Sequence, residues 1–270
     1  MLLKEIVNLM ENKLSPKSYS LRPDIYGIQY GDCHENKIIK KVMITTDLSL
    51  EAINYAVKKK ANLIISFHGL IEKPIIKFKK SLVNKLAFLS KNPVTIFVLD
   101  SSFIAAEEGV SDSMAEKLYL KIDRPFNIKN KNGKSIPLGR ICTPKYFPEQ
   151  KGPLKLNDLI KRIKNNFEMK NIFYVGDLNS KIKKVAIVGG INSKIKYLEL
   201  AATYGCDCYI SGGFKHHEAI FARDIGLKLI NALYYNSIFF SLKKLNDFLS
   251  LEFPDDEFYC YDSRNPFNYC

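Results

Sequence analysis

The sequence VMITTD at residues 42–47, followed by LIISFH at 63–68, has the pattern of a β-α-β unit. The pattern recurs as VAIVGG at residues 185–190 and CYISGGFKHH at 208–217. Each copy has a short apolar strand, a turn of small residues, a helix and a second strand, with enough length for a right-handed crossover between parallel strands. Open parallel sheets bind ligands beyond the carboxyl ends of their strands. Three of the four histidines therefore lie where we expect chemistry.

Strands and helices alternate along the rest of the chain, which predicts an α/β fold with mostly parallel β-α-β units. Because the pattern occurs twice, we expect two similar α/β lobes that face a shared cleft. We predict an N-terminal lobe over residues 1–125, a connection over 126–152 and a C-terminal lobe over 153–270, with one continuous domain as the alternative. The connection is rich in Pro, Gly, Asn and Lys, and residues 104–120 before it are predicted to form one helix.

The chain is basic, with 41 Lys and Arg against 28 Asp and Glu and a formal net charge of +13. Lysines are spread along its length, so we interpret them as a solvated surface, with a basic patch for nucleic acid as the alternative. No apolar run approaches the roughly 20 residues that a membrane-crossing helix needs. We expect a soluble protein with no membrane partner, located in the cytoplasm, with the nucleus as the alternative.

The six cysteines do not predict a disulfide framework in a chain of 270 residues. Cys206 and Cys208 form a C-x-C pair on a predicted strand, where alternation directs both side chains to one face. We interpret them as small buried apolar residues, because an isolated C-x-C pair is weak evidence for a metal site. The composition is typical of a reducing compartment.

Besides the two β-α-β units, several short motifs are distributed over nearly the whole chain. They are DIYGIQYGD (24–32), AAEEGVSD (105–112), GRI (139–141), YVGD (174–177) and DSRNP (262–266). In these motifs and their order the chain resembles the NGG-one-interacting factor three family, whose members are also called GTP cyclohydrolase I type 2 homologues. The resemblance implies a two-metal site in the cleft between two lobes and a ring-shaped homo-oligomer. In such a site two metals activate a water and hold a substrate oxygen.

The residues at the family's metal-ligand positions differ in this chain. The resemblance places five ligands, and His68 is the one that is retained. The other four positions hold Phe67, Ile104, Tyr234 and Ile238. Phenylalanine and isoleucine have no lone pair to offer, and a neutral tyrosine is a poor substitute for histidine. Because a catalytic zinc needs about three protein ligands, we expect that the two-metal site is lost and that no cofactor is bound.

Polar residues near the predicted strand ends are candidates for lining the cleft. They are Asp100, Glu107, His216, His217 and Glu218. One hypothesis combines them with His68 in a rearranged site for a single zinc, iron or manganese ion. The alternative for the two adjacent histidines is packing or capping at a helix terminus.

Gly189 and Gly190 follow a predicted strand and open a predicted helix. The pair lacks the spaced glycines of a dinucleotide-binding motif. We interpret it as a tight turn, with a phosphate cradle at the helix N-terminus as the alternative.

Three functions are compatible with these features. The one we favour is a homo-oligomeric binding or regulatory protein that keeps the family's fold without its catalytic metals, with a protein among the partners considered. The second is a metal-dependent, cyclohydrolase-like hydrolase with a rearranged site and a nucleotide-related substrate. The third is an RNA- or ribonucleoprotein-associated protein that uses the excess of lysine, in which case its binding would fall steeply with salt.

Overall fold

The computed structural model of the chain describes residues 1–31, 34–145 and 152–267. Its helices and strands, in chain order, are α1 (Leu3–Leu9), β1 (Gly27–Tyr30), β2 (Lys41–Thr45), α2 (Leu50–Lys58), β3 (Leu63–Ser66), α3 (Lys80–Leu89), β4 (Thr95–Val98), α4 (Asp100–Ala105), α5 (Val110–Lys117), β5 (Leu120–Lys129), β6 (Ser135–Pro144), α6 (Leu156–Asn166), β7 (Tyr174–Val175), β8 (Val185–Val188), α7 (Ile195–Thr203), β9 (Cys208–Ser211), α8 (His216–Asp224), β10 (Lys228–Asn231), α9 (Tyr234–Glu252) and β11 (Glu257–Tyr261). Two mixed sheets with helices between their strands confirm the predicted α/β class. Within the described ranges, no helix combines the length and the apolar character needed to cross a bilayer.

The chain divides into two compact units. The first comprises Met1–Phe103 and Phe239–Arg264, and the second comprises Ile104–Ile238 with the chain end from Asn265. The predicted division into one N-terminal and one C-terminal lobe differs from this arrangement, because the segment Phe239–Arg264 returns to the first unit. There β11 pairs in parallel with β2.

The sheet of the first unit has the strand order β1-β4-β3-β2-β11, in which β1 is antiparallel to β4 and the other neighbours are parallel. Every residue of β3 and β4 is buried, as expected for strands covered on both faces. Helix α2 packs its buried side, Ala52, Ile53 and Ala56, into the core of this unit. The helix begins after Ser49, whose hydroxyl accepts a hydrogen bond from the Ala52 amide at 3.1 Å. The first predicted β-α-β unit is confirmed.

The sheet of the second unit has the order β5-β6-β8-β9-β10-β7. Its parallel core, β8-β9-β10, contains the second predicted β-α-β unit, with α7 between β8 and β9. Strand β6 runs antiparallel to β8. Their close approach requires glycine at position 139, because a Cβ on Gly139 would overlap the carbonyl oxygen of Ile187.

The predicted connection is wrong over residues 126–145, because β5 and β6 form an antiparallel hairpin there. The buried residues that alternate along the two strands are Phe126, Ile128, Ile136 and Leu138. Frequent Lys and Asn on the exposed face hide this alternation when the segment is judged by composition. The side chain of Asn130 closes the turn by accepting hydrogen bonds from the amides of Asn132 (2.9 Å) and Lys134 (3.0 Å). Residues 146–151 of the predicted connection lie outside the described residues.

The single helix predicted over residues 104–120 is also wrong, because the structure has two helices there, α4 and α5. The break contains Glu108, which has a positive φ of 58°. Arg140 donates hydrogen bonds to the carbonyls at the break, from its Nη2 to Ala105 O (3.2 Å) and Ala106 O (2.9 Å). Those carbonyls therefore bond to a side chain rather than to amides of a continuing helix.

Arg140 is a buried cation in the second unit, with a partner for each edge of its guanidinium. Its Nη1 donates to the carbonyls of Pro137 and Gly139, both at 2.8 Å, and its Nε forms an ion pair with Asp112. Burial raises the pKa of Asp112, and the charge of Arg140 opposes that rise. Arg140 thus ties the break between α4 and α5 to the hairpin strand β6.

Replacing Arg140 by Met should lower the free energy of unfolding by about 3–5 kcal/mol, because four carbonyl contacts are lost and the partly buried Asp112 carboxylate loses its counter-ion. Urea denaturation followed by circular dichroism measures the change. Arg124→Met is the matched control, since Arg124 is exposed and its guanidinium lies 4.5 Å from the Tyr204 ring centroid. That variant should lose only about 0.5–1 kcal/mol. Equal losses in the two variants would contradict this role of Arg140.

Candidate functional site

The first unit places two of the five ligand positions directly after β3. Phe67 and His68 continue the strand pairing, with the Phe67 amide donating to Thr45 O and the His68 amide to Thr46 O, both at 3.0 Å. The Phe67 side chain is buried, whereas His68 is half-exposed. Their rings meet edge to face with centroids 5.3 Å apart. Phe67 is therefore a packing residue, and His68 presents its imidazole at the carboxyl end of the sheet.

Around His68 lies a chain of ionic contacts that we call the Arg22 network, formed by Arg22, His68, Glu72, Asp100 and Ser101. His68 Nδ1 lies 3.4 Å from Glu72 Oε1, and Arg22 Nη1 donates to Glu72 Oε2 at 2.8 Å. Arg22 also donates from Nε to Asp100 Oδ2 at 3.2 Å and from Nη2 to Asp100 Oδ1. The Ser101 hydroxyl donates to Asp100 Oδ2 at 2.9 Å. One guanidinium thus bridges two carboxylates.

Asp100 is the most constrained member of the Arg22 network. It is 3% exposed, and its φ of 46° lies in the left-handed region that non-glycine residues rarely adopt. A buried carboxylate needs a counter-charge, and the bidentate contact with Arg22 supplies it. The hydrogen bond to Asp100 is the foremost cause of a raised pKa at Arg22. The positive charge that balances Asp100 at the end of β4 is therefore supplied by the Arg22 side chain.

The second unit holds the other three ligand positions, two of which are buried isoleucines and the third the partly buried Tyr234. Ile104 is buried, and its side chain lies against the turn at Gly189 and Gly190, within 3.2 Å of where their Cβ atoms would be. The ring of Tyr234 lies 3.8 Å from the same Cβ position of Gly190. Ile238 is completely buried. The contacts and burial at these positions are those of a packed core, and they do not fit the carboxylate and imidazole donors of a metal site.

The predicted cleft-lining residues have separate roles in the structure. Glu107, His216 and His217 are exposed, the two histidines in the first turn of α8. Glu218 is buried and accepts hydrogen bonds from the Lys215 amide and the Ser193 hydroxyl, both at 2.7 Å. It therefore caps the start of α8, as a carboxylate commonly does at the third helical position.

The residues of the hypothesised single-metal site do not form a common cluster in the structure. Across residues 1–31, 34–145 and 152–267, no three His, Cys, Asp or Glu side chains come together in a way that could hold a metal ion. Two of the proposed ligands are engaged elsewhere, Asp100 with Arg22 and Glu218 with the cap of α8.

The pair Gly189 and Gly190 forms a tight turn that the surrounding residues hold closed. The Gly189 amide donates to the Ser111 hydroxyl at 3.2 Å, and Gly190 O accepts from the Gly212 amide at 2.8 Å. Gly190 has a φ of 69°, which glycine adopts without strain. Helix α7 begins only at Ile195, so the pair does not open the helix as we predicted. These contacts support the turn interpretation over a phosphate cradle.

The C-x-C pair is buried, as the alternation predicted. Cys206 and Cys208 are both free thiols in the second unit. Burial raises the pKa of Cys206 to about 11 and also raises that of Cys208. Both side chains therefore behave as small apolar groups, because the thiolate is the form that binds metals and reacts with electrophiles.

Alkylation of the folded protein at pH 8 should leave Cys206 and Cys208 unmodified, because a thiol with a pKa near 11 is ionised to about one part in a thousand at that pH. Iodoacetamide labelling followed by peptide mass spectrometry measures the extent of alkylation at each cysteine. The same labelling in urea is the control and should modify both. Rapid modification of either thiol in the folded state would refute the buried assignment.

Replacing Arg22 by Met should lower the free energy of unfolding by about 2–4 kcal/mol, because Asp100 is left as a buried carboxylate without its guanidinium. The control is Arg223→Met, which removes an exposed pair with Asp224 at 3.7 Å and should cost at most about 0.5 kcal/mol. Adding Asp100→Asn to the Arg22 variant should recover part of the loss in urea denaturation. A double variant less stable than the single one would contradict the charge argument.

Three members of the Arg22 network, Arg22, Glu72 and Ser101, are absent from the candidate residues of the sequence analysis. The four-residue spacing of His68 and Glu72 is a signal that could have found the second carboxylate. No local signal connects Arg22 with Asp100, since 78 positions separate them. Folding of the first unit is what brings them together.

Comparison with known proteins identifies the family to which the chain belongs. A family model described as Duf34/NIF3 (NGG1p interacting factor 3) matches residues 1–266. The GTP cyclohydrolase 1 type 2 homolog of Methanocaldococcus jannaschii is 29% identical over 252 residues, which cover 92% of this chain and 94% of that protein. The corresponding protein of Clostridium acetobutylicum is 24% identical over 236 residues, or 87% of this chain and 84% of the relative.

Solved structures agree with these relatives. Reduced HcgD from Methanocaldococcus jannaschii has a TM-score of 0.80 at 28% identity, with 97% of this chain and 98% of that chain covered. Staphylococcus aureus protein SA1388 has a TM-score of 0.82 at 21% identity over 100% of this chain and 99% of its own, which shows a common fold. The resemblance read from the motifs is therefore confirmed, and the chain belongs to the Duf34/NIF3 family.

Proposed function

We propose that this chain is a homo-oligomeric binding or regulatory protein of the Duf34/NIF3 family that works without the two-metal chemistry its family resemblance implies. The observation that carries the proposal is the Arg22 network. Arg22 bridges Glu72 and Asp100 beside His68, the one retained ligand position. A guanidinium fixed between these carboxylates provides the positive charge that a cation would otherwise bring to them.

The second unit supports the proposal independently. Buried Ile104 and Ile238 stand at two ligand positions, and Ile104 is packed against the turn of Gly189 and Gly190. A carboxylate at either position would have to be taken out of water, which costs several kcal/mol without a partner, roughly as much as the stability of many small domains. These positions are consistent with selection for packing.

The part of the Arg22 network that faces solvent indicates what kind of group it binds. The side chains of Arg22 and His68 are 44% and 37% exposed, and both carry N–H groups, five in the guanidinium and at least one in the imidazole. Donors of this kind at the carboxyl end of a parallel sheet suit a ligand oxygen, either a carbonyl or an anionic group. We propose binding of such a ligand, in the cytoplasm, as the role of this end of the first unit. Free buried thiols such as Cys142 fit a reducing compartment.

The alternative, a metal-dependent hydrolase, is kept because the curated relatives are named GTP cyclohydrolase 1 type 2 homologs. The two proposals differ in metal content. Tag-free protein purified without chelator and measured by inductively coupled plasma mass spectrometry should contain well below about one zinc, iron or manganese per chain. Near-stoichiometric metal that disappears in His68→Ala would overturn the proposal in favour of the hydrolase.

Restoring the family's ligands supplies the matched control for that measurement. The variant Phe67→His, Ile104→Asp, Tyr234→His and Ile238→Glu should take up zinc or manganese that the natural chain does not, because it again offers imidazole and carboxylate donors. Adding His68→Ala to this variant should reduce the uptake. A restored variant that folds by circular dichroism but binds no more metal than the natural chain would show that these substitutions do not account for the difference.

A further inference from the structure

The segment between His68 and α3 carries apolar side chains in full contact with solvent. Residues 73–81 are all exposed. Ile76 is 91% exposed and Phe78 is 68% exposed, and Ile75 lies beside them. Ile75 and Ile76 line an open groove of about 650 Å³, to which Leu82 of α3 also contributes. Single exposed apolar residues are ordinary, but a contiguous group of this kind marks a binding surface.

The same segment concentrates positive charge. Six lysines occur between residues 73 and 91, without any Asp or Glu: Lys73, Lys77, Lys79, Lys80, Lys85 and Lys91. The preceding acid, Glu72, forms an ion pair with Arg22, which it shares with Asp100. Helix α3 is anchored through buried Leu89, which belongs to the core of the first unit together with the half-buried Phe88. We call residues 73–91 the basic apolar surface.

We propose that the basic apolar surface binds the headgroup region of an anionic lipid bilayer. Lysines near such a surface are attracted by its negative potential, and exposed Ile and Phe side chains gain by entering the boundary between headgroups and acyl chains. The two features occur together here, with Ile76 and Phe78 interleaved with Lys77 and Lys79. The protein is thereby held on the membrane surface and does not span it.

Two other occupants fit the surface less well. A nucleic-acid surface gains from arginine forks and stacking aromatic rings, whereas every cation between residues 73 and 91 is a lysine and the most exposed side chain is aliphatic. A second copy of this chain docking the same surface on itself would bring two sets of six lysines together. The expectation of no membrane partner rested on the lack of a spanning segment, and binding at the membrane surface needs none.

Vesicle co-sedimentation tests the proposal on the full chain. Binding should be strong to phosphatidylcholine vesicles that contain about 30% phosphatidylserine and weak to phosphatidylcholine alone, and it should fall as salt rises from about 0.05 to 0.5 M. The variants Lys77→Glu/Lys79→Glu and Ile76→Ser/Phe78→Ser should each weaken binding by about tenfold or more. All four residues are exposed, so circular dichroism should show both variants folded.

Matched controls distinguish binding through the basic apolar surface from nonspecific electrostatic or hydrophobic adsorption to vesicles. Lys131→Glu/Lys134→Glu makes the same charge change in the exposed turn between β5 and β6, and Phe173→Ser removes an apolar side chain that is 67% exposed. Both should bind anionic vesicles within about twofold of the natural chain. Equal binding to neutral and anionic vesicles, no binding, or equal losses in the controls would overturn the proposal.

Two further outcomes would show that the basic apolar surface binds a different partner, and either would overturn the proposal of lipid binding. A lower mass by light scattering for Ile76→Ser/Phe78→Ser, without vesicle binding by the natural chain, would make it an interface between copies. Loss of binding to a single-stranded RNA probe in Lys77→Glu/Lys79→Glu but not in Ile76→Ser/Phe78→Ser, again without vesicle binding, would make it a nucleic-acid surface.

Discussion

Burial of short parallel strands on both faces is the constraint from which each unit is built. In the first unit all residues of β3 and β4 are inaccessible to water, and in the second the same holds for β8 and β9. A strand buried in this way has few places for polar side chains except its ends. Polar groups are therefore displaced to the loops beyond the carboxyl ends, which is where His68 and Asp100 lie. The location of the candidate site follows from the packing of the sheet.

The same constraint makes an unpaired polar group near these strand ends costly. Asp100 is 3% exposed, so its carboxylate needs a counter-charge whether or not a metal is present. Arg22 meets this need with two parallel contacts, which a guanidinium makes better than an ammonium group does. In the second unit the solution is of another kind, because the buried side chains of Ile104 and Ile238 have no polar atoms. Pairing and replacement are the two ways in which a protein can avoid an uncompensated buried charge.

The parts of the fold that sequence predicts well are those set by local pattern. Apolar runs such as residues 42–45 and 185–188 predict buried strands because every position faces a core. The hairpin β5-β6 was missed because each of its strands has one polar face, which resembles a loop in composition. The break after α4 was missed because the group that causes it, Arg140, lies about 35 positions away. Long-range partners of this kind leave no periodic trace in the sequence.

In the candidate site, too, local sequence pattern identifies some residues, whereas others are recognised only from long-range contacts in the fold. Glu72 is an example. The sequence identifies His68 and the substituted ligand positions, but the charge balance around them depends on Arg22, which is 50 positions from Glu72. Glu72 is also the residue before Lys73, so an unpaired carboxylate there would lie within a Debye length, about 8 Å, of the basic apolar surface and would weaken its field. Arg22, which Glu72 shares with Asp100, partly offsets the charge of Glu72, so that charge opposes the six lysines less than a free carboxylate would. The lysines that look dispersed along the sequence thus have a local effect that depends on one ion pair in the folded chain.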